Sequence, residues 1–137
     1  MPADDRAIHL AIAAARAAAD LLAREIIALD VSERLVLTDV FVVASGSSER
    51  QVKAIVDAVE DALAKEGAKT VRKEGVAEGR WVLLDFGDIV VHVQHDEDRE
   101  FYALERLWKD CPVVELPADV HGHSADEVQA GPAGEQA

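Results

Sequence analysis

The chain has 137 residues, half of them hydrophobic, which amounts to about one folded domain with length for a single core. Its formal net charge is −13, from 27 acids against 14 Lys and Arg. Such a surface repels phosphate backbones and anionic lipid headgroups, so direct binding to nucleic acid or membrane is disfavoured; it favours a basic partner, unless it is simply an acidic solvated surface.

The elements follow in chain order. Acids Asp4 and Asp5 stand where a signal peptide would carry bases, and Arg16 and Asp20 break the apolar run behind them, so neither a signal peptide nor a membrane span is expected. From Asp4 to Ala23 the chain is Ala-rich, and Ile8, Ile12, Ala15, Ala19 and Leu22 recur at helical spacing, which predicts an amphipathic helix with acids in its first turn. Glu25 to Val31 fits a short strand, and Ser32-Glu33-Arg34 a turn. Val40 to Ala44 is a continuous, β-branched run, the pattern of a strand buried on both faces, and it ends in Ser45-Gly46-Ser47-Ser48. Ser47 or Ser48 can cap a second helix, Glu49 to Lys65, whose stripe is Val52, Ile55, Val56, Val59 and Leu63 and whose stop is Gly67. Lys69 to Arg72 reads as a polar edge strand, followed by a loop from Glu74 to Gly79. Trp81–Phe86 and Ile89–His95 are strong strands joined by a tight Gly87-Asp88 turn. Asp96-Glu97-Asp98 starts a third helix, expected to reach Lys109. Cys111 to Pro117 reads as a short extended edge segment. From Ala118 the chain has no Lys or Arg, four acids and many small residues, the composition of a disordered tail. The order predicts a mixed α/β domain with flanking helices over residues 1–116 and an acidic tail over 117–137.

Cys111, the one cysteine, cannot close an internal disulfide and suits a reducing cytosol; among apolar neighbours it reads as a small buried hydrophobe rather than a reactive thiol. His92 and His95 are three apart on a strand, so they point to opposite faces and cannot share a metal; one of them is expected to be partly buried and hydrogen bonded. His121 and His123 form at most an adventitious metal site. Asp85 and Asp88 flank the turn, where an Asp bonds its own backbone, although a carboxylate pair there could also hold Mg²⁺.

Ser45 to Ser48, between a strand and a helix, could cradle a phosphate with backbone N–H groups. It is neither a Walker loop nor a dinucleotide fingerprint. It is similar to the Gly-Ser turn of nucleotidyltransferases, but those enzymes also need an Asp-x-Asp pair on a following strand, and Asp57, Asp61 and Asp85 make no such pair.

The stretch from Arg80 to Trp108 is the most informative. It holds Trp81, Phe86, Phe101, Tyr102 and Trp108, in a chain whose aromatic content is 4%. It has no nucleophile paired with a base and no metal-ligand spacing. Trp, Tyr and Arg often anchor interfaces, so the stretch points to a module that binds a macromolecule rather than to an enzyme. Phe101, Leu104 and Trp108 make a core stripe on the third helix, while Tyr102, Glu105, Arg106 and Lys109 fall on another side, either a contact surface or a solvated face. Trp81 shares a strand face with Leu83 and Asp85, a face not fully buried in a dry core.

Leu29-Asp30-Val31, Thr38 to Ser48 with Arg50-Gln51-Val52, Trp81 to His92, and Arg99 to Trp108 together closely resemble the Iojap-like ribosomal silencing factors, in order from Asp4 to Val114. The resemblance implies a nucleotidyltransferase-like fold without catalytic carboxylates, no enzymatic activity and no cofactor. It implies a cytoplasmic translation regulator that binds the large ribosomal subunit through ribosomal protein L-fourteen, blocks joining of the small subunit, lowers translation in starvation or stationary phase, and is a homodimer when free. Carried over on the matching motifs, the candidate partner-binding residues are Trp81, Asp85, Phe86, Gly87, Asp88, Arg99, Tyr102, Glu105 and Trp108. Gly87 serves turn geometry in this reading, and Trp108 is placed between interface and core. The rival reading is a nucleotide-binding or nucleotidyltransferase-type enzyme that uses the Ser45–Ser48 turn. A basic ribosomal protein set in rRNA would attract an acidic factor to the protein and away from the phosphates, with a small apolar patch ringed by ion pairs at the contact.

Overall fold

The computed structural model describes residues 3–101 and 108–120. The element order is α1 (Asp5–Asp20), β1 (Arg24–Asp30), β2 (Val40–Gly46), α2 (Glu49–Lys65), β3 (Arg72–Glu74), β4 (Trp81–Asp85), β5 (Ile89–His95) and α3 (Asp96–Phe101). The five strands form one mixed sheet in the order β1-β2-β5-β4-β3. β2 and β5 pair in parallel and the other pairs are antiparallel. This is the mixed α/β architecture expected from the element order.

Both helices before β3 lie on one face of the sheet. Val42, Ala44, Val82, Leu84, Ile89, Val91 and Val93 point to that face and meet the α2 stripe Val52, Ile55, Val56, Val59 and Leu63, as its spacing predicts. The α2 start is also as read: the Ser48 side chain accepts the Gln51 N–H at 3.0 Å. For α1 the expected stripe needs correcting. Ala7, Leu10, Ala11, Ala14, Ala15, Ala17 and Ala18 are buried, whereas Ile8, Ile12 and Ala19 are half-buried and Leu22 is exposed. Hydropathy ranks Ile above Ala, but α1 is pressed against both the sheet and α2, and a face made of Ala around Leu10 lets them approach closely.

β2 is buried along its whole length, as its β-branched run requires, and extends two residues past Ala44 to Gly46. β3 lies at the edge but begins at Arg72 rather than Lys69. Arg72 pairs with Asp85, the last residue of β4, so residues 69–71 run past the end of their partner. β4 likewise ends at Asp85, and Phe86 turns into the helix-side core. The edge segment after Cys111 is present: Val113 bridges Leu29, and Val114 donates its N–H to the Ala28 carbonyl. Of the expected third helix, Asp96–Phe101 is helical, 102–107 lie outside the described residues, and Trp108–Asp110 is a turn closed by the Cys111 N–H on the Trp108 carbonyl. At the C-terminal end, Val120 is buried and Asp119 lies 3.3 Å from Arg16, so packing continues past Pro117; His121, His123 and the rest of the 117–137 segment are outside the described residues.

One glycine is set by close approach. Gly75, at the end of β3, has φ +78°, and a Cβ there would stand 2.1 Å from the Trp81 carbonyl oxygen. Gly87 has a similar φ of +90° but open space around it. Gly75→Ala is therefore expected to cost clearly more stability than Gly87→Ala, for which only the roughly 1 kcal/mol of left-handed backbone strain applies; denaturant midpoints of the two variants check the order.

Candidate functional site

The sheet's second face carries the sequence candidates. Strand register places its side chains in rows. Leu29, Phe41, Val90 and Asp85 form one row, and Ile27, Val43, His92 and Leu83 the next. Arg24, Ser45, Gln94 and Trp81 form the third. The β1–β2 side is covered: Leu35, Trp108 and Cys111 pack on Leu29, Val31, Phe41 and Val90. Cys111 is thus the small buried hydrophobe its neighbours suggested. Toward β4 the cover thins. Trp81, Leu83 and Asp85 are half-buried, and β3 beyond them is exposed along its length.

Four rings cross this face. Trp81 donates its indole N–H to His92 Nδ1 at 3.2 Å. His92 meets Phe41 edge-on, with centroids 5.0 Å apart, and Phe41 meets Trp108 edge-on at 5.1 Å. The Arg34 guanidinium lies 5.9 Å from the Trp108 ring centre and ion-pairs with Asp110 at 3.4 Å. Edge-to-face pairs at these distances add to area burial and fix ring orientation. Trp81 and Trp108 therefore belong to one packed ladder, with Trp81 at its open end and Trp108 at its covered end.

His92 is the partly buried, hydrogen-bonded histidine the sequence called for. Since Nδ1 accepts from Trp81, the neutral ring carries its proton on Nε2, and Nε2 is buried without a partner among the described residues. Burial pushes its pKa from 6.5 down to about 4. His95 faces the other way at the strand end and accepts the Glu97 N–H on Nδ1.

The turn between β4 and β5 follows the backbone-bonding reading of Asp85, whose carboxylate accepts the Gly87 N–H at 2.8 Å. Asp88 is exposed, and its carbonyl accepts the Asp39 N–H at 2.8 Å, which ties the turn to the β1–β2 loop. Asp30 anchors the same end of the sheet. Burial raises its pKa, but hydrogen bonds from the Ser32 hydroxyl, the Ala3 N–H and the Ser32 N–H outweigh that and hold it below the usual carboxylate range.

Two candidates lie inside the protein. Phe86 packs in the helix-side core. Arg99 is buried, 3.4 Å from the Ser45 hydroxyl and 4.0 Å from Glu25, and joins α3 to β2. Tyr102 and Glu105 lie outside the described residues. Asp85, Gly87 and Asp88 are thus brought together at the turn end of β4, with Trp81 at the other end of that strand and Trp108 across the face. Leu83, between Trp81 and Asp85 on this face, is the residue the candidate set lacked; strand alternation was the signal for it.

The Ser45–Ser48 turn is occupied by its own chain. Gln51 Oε1 accepts the Ser47 N–H at 2.7 Å and the Ser47 hydroxyl at 3.0 Å, and Gln51 Nε2 donates to the Leu21 carbonyl at 3.0 Å. An N–H that could have met a phosphate is already satisfied. Among the described residues no group of three His, Cys, Asp or Glu could hold a metal, and no helix is long and apolar enough to cross a membrane.

Comparison with known proteins agrees with this picture. The family model for RsfS, ribosomal silencing factor during starvation, matches residues 4–136. The ribosomal silencing factor RsfS of Bacillus subtilis is 43% identical over 103 residues, 75% of this chain and 87% of that protein. The protein Iojap of Zea mays chloroplasts is 34% identical over 119 residues, 85% of this chain and 52% of that one. A crystal structure from Bacillus halodurans superimposes with a TM-score of 0.69 at 37% identity and covers 82% of this chain and 100% of that one. One from Chromobacterium violaceum gives 0.71 at 36% identity, with 88% and 96% covered.

The buried imidazole makes stability depend on pH. Between 6.5 and about 4 the unfolded chain binds a proton at this position that the folded chain does not, so stability falls as pH drops through that window and the effect levels off below it. The full effect is about 3 kcal/mol. His92→Gln should be less sensitive to pH by that amount, as read from denaturant midpoints of both proteins from pH 7 to pH 4.

Proposed function

This chain belongs to the ribosomal silencing factor family, whose members are ribosome-associated regulators of translation and not enzymes, and we propose that it binds the large ribosomal subunit through ribosomal protein L-fourteen. Bound there, it keeps the small subunit from joining and lowers translation in starvation or stationary phase. In the free state it is a cytoplasmic homodimer.

The observation that carries this reading is the open face of β4, where Trp81, Leu83 and Asp85 are half-buried in line, with Trp81 at one end and Asp85 at the other beside the exposed Asp88. An interface needs a rigid aromatic anchor with polar groups at its rim. Trp81 fits the anchor: the sheet and His92 fix its ring before any partner arrives, so little side-chain freedom remains to be lost on binding. Asp85 and Asp88 fit the rim facing a basic protein. The charge of −13 supports the choice of a protein contact over rRNA, because it attracts Lys and Arg and repels phosphate. Phe86 and Arg99 act from within, Phe86 in the core beside the turn and Arg99 holding α3 to the other end of the sheet. Tyr102 and Glu105 remain contact candidates on the strength of the resemblance.

Co-sedimentation with purified large subunits, small subunits and joined particles tests the reading. The protein should be found with large subunits and should reduce joined particles when small subunits are added. Trp81→Ala should weaken large-subunit binding about 30-fold, corresponding to about 2 kcal/mol for an interface anchor. Unchanged affinity in that variant, with an unchanged circular dichroism spectrum, would remove Trp81 from the contact; absence from all three particles would sink the proposal.

A further inference from the structure

The end of the sheet that holds the Gly87-Asp88 turn also exposes three large apolar side chains. Val36 is 96% exposed, Leu37 84% and Val71 74%. Isolated surface apolar residues need no explanation, but these come from segments that backbone hydrogen bonds bring to the same end of the sheet. The Asp39 N–H binds the Asp88 carbonyl at 2.8 Å, and the Val71 N–H binds the Asp85 carbonyl at 2.6 Å. The order β1-β2-β5-β4-β3 therefore sets Val36 and Leu37 on one side of the turn and Val71 on the other. At strand spacing the row is roughly 19 Å long.

The loop that carries Val36 and Leu37 is firmly held. The Val31 N–H binds the Asp39 carbonyl at 2.8 Å, and the Arg34 and Leu35 N–H groups both bind the Val31 carbonyl at 2.9 Å. Leu35 packs inward beside Phe41 and Leu29, so its neighbours are turned out. The surroundings are acidic. Asp4, Glu33 and Asp39 line a cleft next to Val36, and Asp88 is exposed. Of the arginines nearby, Arg34 is paired with Asp110 and Arg72 with Glu74.

From this row we infer that Val36, Leu37 and Val71 form a second contact surface, meeting the open face of β4 at Asp85 and the Gly87-Asp88 turn, for a basic protein that presents an apolar recess flanked by Lys or Arg. The inference rests on the proposed function and deepens it: the partner is the basic large-subunit protein, gripped at the sheet face by Trp81 and at the sheet end by Val36 and Leu37. The apolar tips supply buried area, while the carboxylates around them set orientation and approach.

The test compares wild type, Val36→Ser/Leu37→Ser, Trp81→Ala and Leu22→Ser for binding to purified large subunits across a salt series. Leu22 is also exposed but stands before β1, at the opposite end of the sheet from the row and three strands across from Trp81. The double variant should bind about tenfold more weakly, with the salt dependence of wild type because no charge is lost; Leu22→Ser should bind as wild type does. Equal binding by wild type and the double variant, with Trp81→Ala impaired, overturns this inference and leaves the proposed function standing. No binding by wild type overturns both. Sedimentation of the free proteins completes the test: if the double variant dissociates a dimer and still binds subunits fully, the row joins two copies of this chain and the inference fails.

Discussion

The parallel pairing of β2 with β5 organises the molecule. Seven residue pairs, from Val40–Ile89 to Gly46–His95, run through the middle of the sheet, and only His95 lies outside the buried interior. A strand pair buried on both faces must find apolar cover for both sets of alternating side chains. Val42, Ala44, Val91 and Val93 receive theirs from α1 and α2. Phe41 and Val90 need a second layer, which the chain assembles from Leu35, Trp108 and Cys111. Among the described residues that second layer is narrower than the sheet. The strands added on the far side of β5 therefore keep one face half open, and the partial exposure of Trp81 follows from the arithmetic of cover rather than from any local preference of a Trp.

A polar group in the middle of the second face needs a reason. His92 carries a buried Nε2 with no partner among the described residues, and a buried unsatisfied donor costs about 1–3 kcal/mol. A Phe or Leu would fill the space without that cost. What an apolar residue cannot do is accept the Trp81 N–H, and an indole lying half in water with its N–H aimed at an apolar wall would rotate away. The imidazole thus exchanges some stability for a fixed indole plane, and its contact with Phe41 extends that constraint to Trp108. Neutrality of the ring is essential to the arrangement, since a protonated Nδ1 could no longer accept; burial ensures it by holding the pKa at about 4.

Much of this was legible in the sequence, for physical reasons that differ by element. β2 declared itself because β-branched residues in an unbroken run suit only a doubly buried strand. The α2 stripe was exact because Val, Ile and Leu alone define its face. α1 was misjudged because Ala carries almost no hydropathy signal, while tight packing favours it over Ile8 and Ile12. β3 slipped by three residues because its span is decided by the length of β4, a long-range fact absent from Lys69–Glu74 itself. At the candidate site, alternation placed Trp81 and Asp85 on one face, and the Gly-Asp pair placed the turn. The burial of Phe86 and Arg99 was not readable, because nothing in a motif says which way a side chain leaves the end of a strand or the first turn of a helix. Val36 and Leu37 were passed over for a similar reason: an apolar pair in a loop reads equally as core or surface until Leu35 is seen to take the inward position.

Charge and apolar surface divide the task of recognition. An excess of carboxylates can draw an acidic protein toward any basic one, and over distances beyond about 10 Å it does little more than that. Selectivity must come from shape at contact. Here the shaped elements are held by hydrogen bonds: Trp81 by its strand and the His92 ring, the Gly87-Asp88 turn by the Asp85 carboxylate, and the Val36-Leu37 loop by the backbone of Val31, Asp39 and Asp88. Since the Asp39–Asp88 bond links loop to turn, a displacement of one moves the other. The turn and the Val36-Leu37 loop therefore form one rigid end of the sheet.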